Sequence, residues 1–92
     1  MNPFCERVTI VNERGLHARA SAQFVNLVTA NYEHLKITVR KDSAEAAGGS
    51  ILGLMMLGAA RGDEIEICVE GDGAEAALEN LVGLVRGGFG EP

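Results

Sequence analysis

The sequence predicts an α+β chain with segment order βαββαβα, in which a four-stranded, largely antiparallel sheet carries helices on one face only. Three observations predict it. The hydrophobic period switches repeatedly between two and about 3.6 along the chain. Each strand candidate has a single apolar face, so one side of the sheet stays wet. Each helix candidate carries an apolar stripe that needs that dry face as its partner.

The elements follow in order. Phe4 to Val11 reads as a strand, with Val8 and Ile10 on one side, Phe4 in phase with them, and Cys5, Arg7 and Thr9 on the other. Asn12-Glu13-Arg14-Gly15 is a polar connection with Gly15 as its turn residue. From Ala18 to about Ala30, Phe24, Leu27 and Val28 form a helical stripe. Leu35 to Arg40 alternates again, Lys41-Asp42 makes a tight turn, and Ser43 to Ala47 is a short return strand, giving a hairpin. Ser50 stands at an N-cap position before a two-turn apolar helix, Ile51 to Leu57, stopped by Gly58. Leu54 and Leu57 are expected to point inward. Arg61-Gly62-Asp63 is a turn. Glu64 to Glu70 alternates cleanly, with Ile65, Ile67 and Val69 inward. After Gly71-Asp72-Gly73, residues Ala74, Ala77, Leu78, Leu81, Val82 and Val85 share one helical face that fades at Gly87-Gly88.

The chain of 92 residues holds one core, so residues 1–92 are expected to form a single domain. Its formal net charge of −5 excludes the basic footprint that nucleic acid or an anionic membrane requires. That total averages two unlike parts: residues 1–41 sum to +3 and residues 42–92 to −8. The anion-handling residues are therefore sought in the N-terminal part. Two cysteines, Cys5 and Cys68, are too few for a disulfide scaffold or a closed zinc site. They fall on the outer sheet face, on strands that could be neighbours, and no further ligand or thiolate-stabilising charge gives them a metal or redox role. With no signal peptide or membrane-length apolar run, the expected location is the cytoplasm.

His17 is the residue with most chemical potential. It falls at the N-terminus of the first helix, where unpaired N–H groups and a partial positive charge suit a phosphate and disfavour the imidazolium. A neutral imidazole is a competent covalent nucleophile. Arg19, two residues on, offers a guanidinium fork for phosphate oxygens. The alternative is that His17 is a helix cap or a surface histidine. Ile51, Leu52 and Met55 form an exposed apolar patch on the short helix, or else that helix is wrapped by core. Ser50 is either an N-cap alone or a phosphorylatable serine beside that patch. His34 reads as a surface residue, and Glu64, Glu66 and Glu70 as a solvated strand face and not a metal cage. No metal site or cofactor is expected.

Two separated stretches, Gly15-Leu16-His17-Ala18-Arg19 with Ala-Ser-Ala-Gln-Phe-Val after it, and Ser50-Ile-Leu-Gly-Leu-Met-Met-Leu-Gly-Ala-Ala-Arg-Gly-Asp-Glu-Ile, resemble the HPr family. These are the histidine-containing phosphocarriers of the bacterial phosphoenolpyruvate-dependent phosphotransferase system, and the resemblance runs from Val8 to about Glu91. It implies an open-faced β-sandwich with sheet order 1-4-2-3. It implies that His17 is the phosphoacceptor, modified on Nδ1 (pros-phosphohistidine), that Arg19 attends the phosphate, and that Ser50 is the target of an HPr kinase/phosphorylase in some bacteria. It also implies a docking surface of Ile51, Leu52 and Met55, joined by Ala20 and Phe24 of the first helix. The implied partners are enzyme I, which supplies the phosphoryl group, and an enzyme IIA, which receives it. The chain is then a monomeric carrier and not an enzyme. Family members commonly have proline where this chain has Ala20; alanine suits the first helical turn equally and adds an N–H donor. The Leu-Met-Met and Ala-Ala stretches resemble the nitrogen-regulatory branch more than the sugar-transport branch.

Two other function classes compete. One is a regulatory protein-binding module switched at Ser50, with His17 incidental. The other is a small hydrolase using His17 as general base, for which no second catalytic group is found.

Overall fold

Strand β4 (Glu64–Glu70) is flanked on both sides by antiparallel partners, β1 (Phe4–Thr9) and β2 (Lys36–Lys41), and β3 (Ala44–Ala47) closes the far edge by pairing with β2. The sheet order is therefore β1-β4-β2-β3. Helices α1 (Ala18–Asn31), α2 (Ile51–Met56) and α3 (Ala74–Arg86) complete the order βαββαβα, with a 3₁₀ turn at Gly88–Gly90 after them. The computed structural model describes residues 2–92.

Alternation places the core. Ile65, Ile67 and Val69 of β4 are buried, as are Val8 of β1 and Ile37 and Val39 of β2, so one sheet face is apolar and continuous. The helices supply the other half. Phe24, Val25 and Val28 face inward from α1, and Leu54 faces inward from α2. From α3, Ala74, Ala77, Leu78, Leu81, Val82 and Val85 face inward, the same six that the helical period selects. Leu57 is also buried. The opposite sheet face is polar. Arg40 pairs there with Glu45 at 2.6 Å and with Glu66 at 3.3 Å, and Arg7 lies 3.8 Å from Glu64. No helix among the described residues is long and apolar enough to cross a membrane.

Three details differ from the sequence-based expectations. Strand β1 ends at Thr9 and not Val11, although Ile10 still donates its N–H to Asp63 and accepts from Gly62, each at 2.8 Å. Phe4 shares the phase of Val8 but lies at the strand's end, where it is 42% exposed. The third difference concerns the cysteines, for which the sequence alone predicts no bond. Cys5 and Cys68 are direct register partners in the β1–β4 ladder, with Cα atoms 4.1 Å apart, and their sulfurs form a disulfide. Both side chains leave the same face of adjacent strands at facing positions, which brings them within bonding reach.

Candidate functional site at the start of α1

The connection from β1 to α1 is drawn tightly against the segment before β4. Gly15 adopts φ +63°, and a Cβ at this position would overlap the Ala59 carbonyl oxygen and approach Ala60 Cα to 2.9 Å. Glycine alone fits there. The next residue, Leu16, is buried and donates its N–H to Ala59 at 2.9 Å. These two anchors deliver His17 to the helix start.

His17 is the N-cap residue of α1, with extended backbone (φ −72°, ψ −179°). Its Nδ1 accepts from the Arg19 backbone N–H at 3.3 Å. The first intrahelical bond runs from Ser21 N to His17 O at 2.9 Å. The N–H groups of Ala18, Arg19 and Ala20 therefore have no intrahelical backbone acceptor, and partial positive charge collects at this first turn.

The other ring nitrogen, Nε2, lies 2.7 Å from Oε1 of Glu91. A carboxylate can only accept and the Arg19 N–H can only donate, so the neutral ring carries its proton on Nε2 and presents a lone pair at Nδ1. Glu91 Oε1 also accepts from Asn12 Nδ2 at 2.9 Å. These two hydrogen bonds, from Asn12 foremost and then from His17, hold the Glu91 carboxyl below its usual value of 4.5.

Arg19 is exposed, and with Arg14, Glu13, Glu91 and Pro92 it lines a shallow depression of about 200 Å³. Arg7, Arg40, Lys41 and Arg86 are all engaged in ion pairs, whereas Arg14 and Arg19 form none among the described residues. The +3 half of the chain therefore has two guanidinium groups without an ion pair among the described residues, near the His17 imidazole and a helix N-terminus. That arrangement can receive a small dianion and make a covalent bond to it.

Ser50 caps α2: its Oγ accepts from Gly53 N at 2.9 Å. Gly53 leaves room for this cap, because a Cβ on it would lie 3.0 Å from that oxygen. Ile51, Leu52 and Met55 are exposed, and Met56 is more exposed than any of them at 76%. Ala20 and Phe24, expected in the same docking surface, are buried at 0% and 1% exposure. Both lie on the stripe of α1 that packs into the core, and neither reaches a partner. His34 is a loop residue whose Nε2 lies 3.2 Å from the Asp72 carbonyl.

His17 and Ser50 stand at the helix starts where the sequence places them, and Ile51, Leu52 and Met55 are exposed as expected, whereas the contacts of Asn12 and Glu91 with this loop and the exposure of Met56 are visible only in the structure. Asn12 carried one usable signal, a small amide in the turn connection ahead of a helix. Glu91 carried none, because its link to His17 spans 74 positions.

The residues 4–86 match the family model described as "PTS HPr component phosphorylation site". The phosphocarrier protein HPr of Neisseria meningitidis is 41% identical over 86 residues, covering 94% of each chain. The phosphocarrier protein NPr of Shewanella violacea is 37% identical over 59 residues, 64% of this chain and 63% of that one. Among solved structures, HPr-C-His from Thermoanaerobacter tengcongensis superposes with a TM-score of 0.88 at 36% identity, covering 97% of this chain and 98% of the other. With an extended match to the family model, a relative of this identity over nearly its full length and the same four-stranded fold, the chain belongs to the HPr family of phosphotransferase-system phosphocarriers.

Proposed function

We propose that this chain accepts a phosphoryl group from phosphorylated enzyme I on Nδ1 of His17 and passes it to an enzyme IIA. The observation that carries the reading is the ring orientation. Nδ1 holds its lone pair beside the helix N-terminus, and the contact to Arg19 N is a long 3.3 Å. In transfer, the Nδ1 lone pair forms a bond to phosphorus while the bond between phosphorus and the donor breaks, its electron pair leaving with the donor. The N–H of Arg19 then exchanges the ring nitrogen for a phosphoryl oxygen, and the Arg19 guanidinium adds a charge-assisted bond. The same bonds are given up in reverse order to the acceptor. The chain supplies position and charge and no means of turning over on its own, which suits a carrier located in the cytoplasm.

Ile51, Leu52 and Met55, extended by Met56, serve as the docking surface for both partners in turn. Ser50 is the regulatory position: phosphorylation would put a dianion on the helix start at the edge of this apolar patch. Charge there is tolerated by the helix and unfavourable to a partner that must bury the patch.

The test is transfer from enzyme I and phosphoenolpyruvate to the purified chain. The parent takes up phosphate and His17→Ala takes up none while remaining folded, with no more stability lost than the worth of a helix N-cap, about 0.5–2 kcal/mol. Ser50→Asp lowers the transfer rate. Partner binding that survives His17→Ala, with no phosphate taken up by the parent, favours a binding module without carrier activity.

A further inference from the structure

Residues 87–92 lie beyond the stretch matched by the family model, yet they supply the closest side-chain contact that His17 makes. We propose that Glu91 is a positioning residue for His17: it holds the Nε2–H tautomer, so that Nδ1 is the reactive nitrogen, and it offsets the charge on the phosphorylated ring. The inference rests on the reading of His17 as phosphoacceptor.

The chain is built to bring this carboxylate back. After α3, Gly88, Phe89 and Gly90 adopt successive φ values of +66°, +57° and +72°. For an aromatic residue the left-handed conformation is costly and persists only where surrounding contacts impose it. Here they do: Phe89 is buried at 3% exposure, and its carbonyl accepts from Gln23 Nε2 at 3.1 Å. The chain then runs alongside the β1–α1 connection, where Glu13 donates its N–H to the Pro92 carbonyl at 2.8 Å.

Asn12 completes the hold. Its buried Nδ2 donates to both the Gly15 carbonyl and Glu91 Oε1, each at 2.9 Å. The reversed amide would set an acceptor against two acceptors, so the orientation is dictated by its neighbours. Among the described residues its buried Oδ1 has no partner, so both side-chain hydrogen bonds of Asn12 are donated through Nδ2. One amide thus ties the carboxylate to the loop that carries His17.

The chemistry gives this carboxylate a use. When Nδ1 forms its bond to phosphorus and the donor leaves with its electron pair, the ring keeps its Nε2 proton and becomes cationic. Glu91 faces that N–H at hydrogen-bond distance and neutralises the charge. When the phosphoryl group departs, the electron pair of the N–P bond returns to Nδ1 and the ring is neutral again, still with its proton on Nε2. No proton has to leave or enter the site.

The test compares the parent with Glu91→Leu and Glu91→Gln, using ¹⁵N NMR of the His17 ring and the rate of transfer from phosphorylated enzyme I. The parent is expected to carry its ring proton on Nε2 and its lone pair on Nδ1. Glu91→Leu should give a mixture of tautomers and transfer about tenfold more slowly, the loss of one hydrogen bond to a charged group. Glu91→Gln retains an oxygen acceptor, so it should restore the tautomer without restoring the full rate. A leucine variant with the parent's tautomer overturns the proposal, whatever its rate, and so does one with the parent's rate. If the parent accepts no phosphate, the carrier reading fails, while the tautomer comparison still decides whether Glu91 orients the ring.

Discussion

Cys5 and Cys68 face each other across the β1–β4 ladder and are joined by a disulfide that links positions 63 residues apart. The bond closes a long loop in the unfolded chain and so removes entropy from that state, worth about 2–4 kcal/mol. Protein purified in air should show no reactive thiol before reduction and two after it. Reduction, or the double change Cys5→Ser and Cys68→Ser, should lower the thermal midpoint by about 8–32 °C, at roughly 4–8 °C per kcal/mol for a chain of this size. Two reactive thiols in the unreduced protein would contradict the bond.

The burial of Phe24 separates its role from that of Leu52. Phe24 is 1% exposed and Leu52 is 67% exposed. Phe24→Ala should cost about 3–5 kcal/mol in urea unfolding, through lost burial and the cavity left behind. Leu52→Ala should stay within about 0.5 kcal/mol of the parent. Its effect should appear in transfer kinetics instead, as weaker binding of the phosphoryl donor. An unchanged unfolding midpoint for Phe24→Ala would contradict the packing.

Asp63 gives stability a pH dependence of defined sign. Its carboxylate accepts from Ala60 N at 2.8 Å and faces Lys41 Nζ at 3.3 Å. The Ala60 N–H first, and Lys41 second, hold the carboxyl below its usual 3.8. A carboxyl whose value is depressed on folding contributes stability above its unfolded value, and that stability is lost as pH falls through the folded one. Asp63→Asn should therefore unfold at a lower temperature than the parent at neutral pH, and the two midpoints should converge as pH drops below 3.8. A gap that persists in strong acid would assign the effect to something other than the carboxylate.

Ala20 is the third residue of α1, ahead of the first intrahelical donor at Ser21. Proline is acceptable in that turn because no helical bond depends on the N–H there. Ala20→Pro should fold and should transfer phosphate at a rate within a few-fold of the parent. A several-fold gain or a complete loss would show that the Ala20 N–H or the buried methyl has a specific part in the site.

Much of this molecule is written in local pattern. Strand β4 and helix α3 each show one unbroken period, and their inward residues were identifiable one by one. His17, Arg19 and Ser50 were legible because cap positions and helix starts are local features. What escaped was set by chain path. The disulfide requires the register of β1 on β4, which brings Cys5 opposite Cys68. The His17–Glu91 contact requires the left-handed turn at Phe89, a conformation that no hydrophobic period encodes. Phe24 lies on the apolar stripe that the helical period of α1 turns toward the sheet, and it is buried there with Ala20, so the docking role implied for both by the family resemblance conflicts with that pattern.

Carriage of the phosphoryl group on His17 Nδ1 is the step on which the proposed function depends. It is tested most directly by incubating the ¹⁵N-labelled chain with enzyme I and phosphoenolpyruvate and locating the new phosphorus by its NMR coupling to the ring nitrogens. The expected product is a base-stable, acid-labile phosphate on Nδ1 of His17, absent from His17→Ala. Phosphate on Nε2, phosphate on His34, or none at all would contradict it.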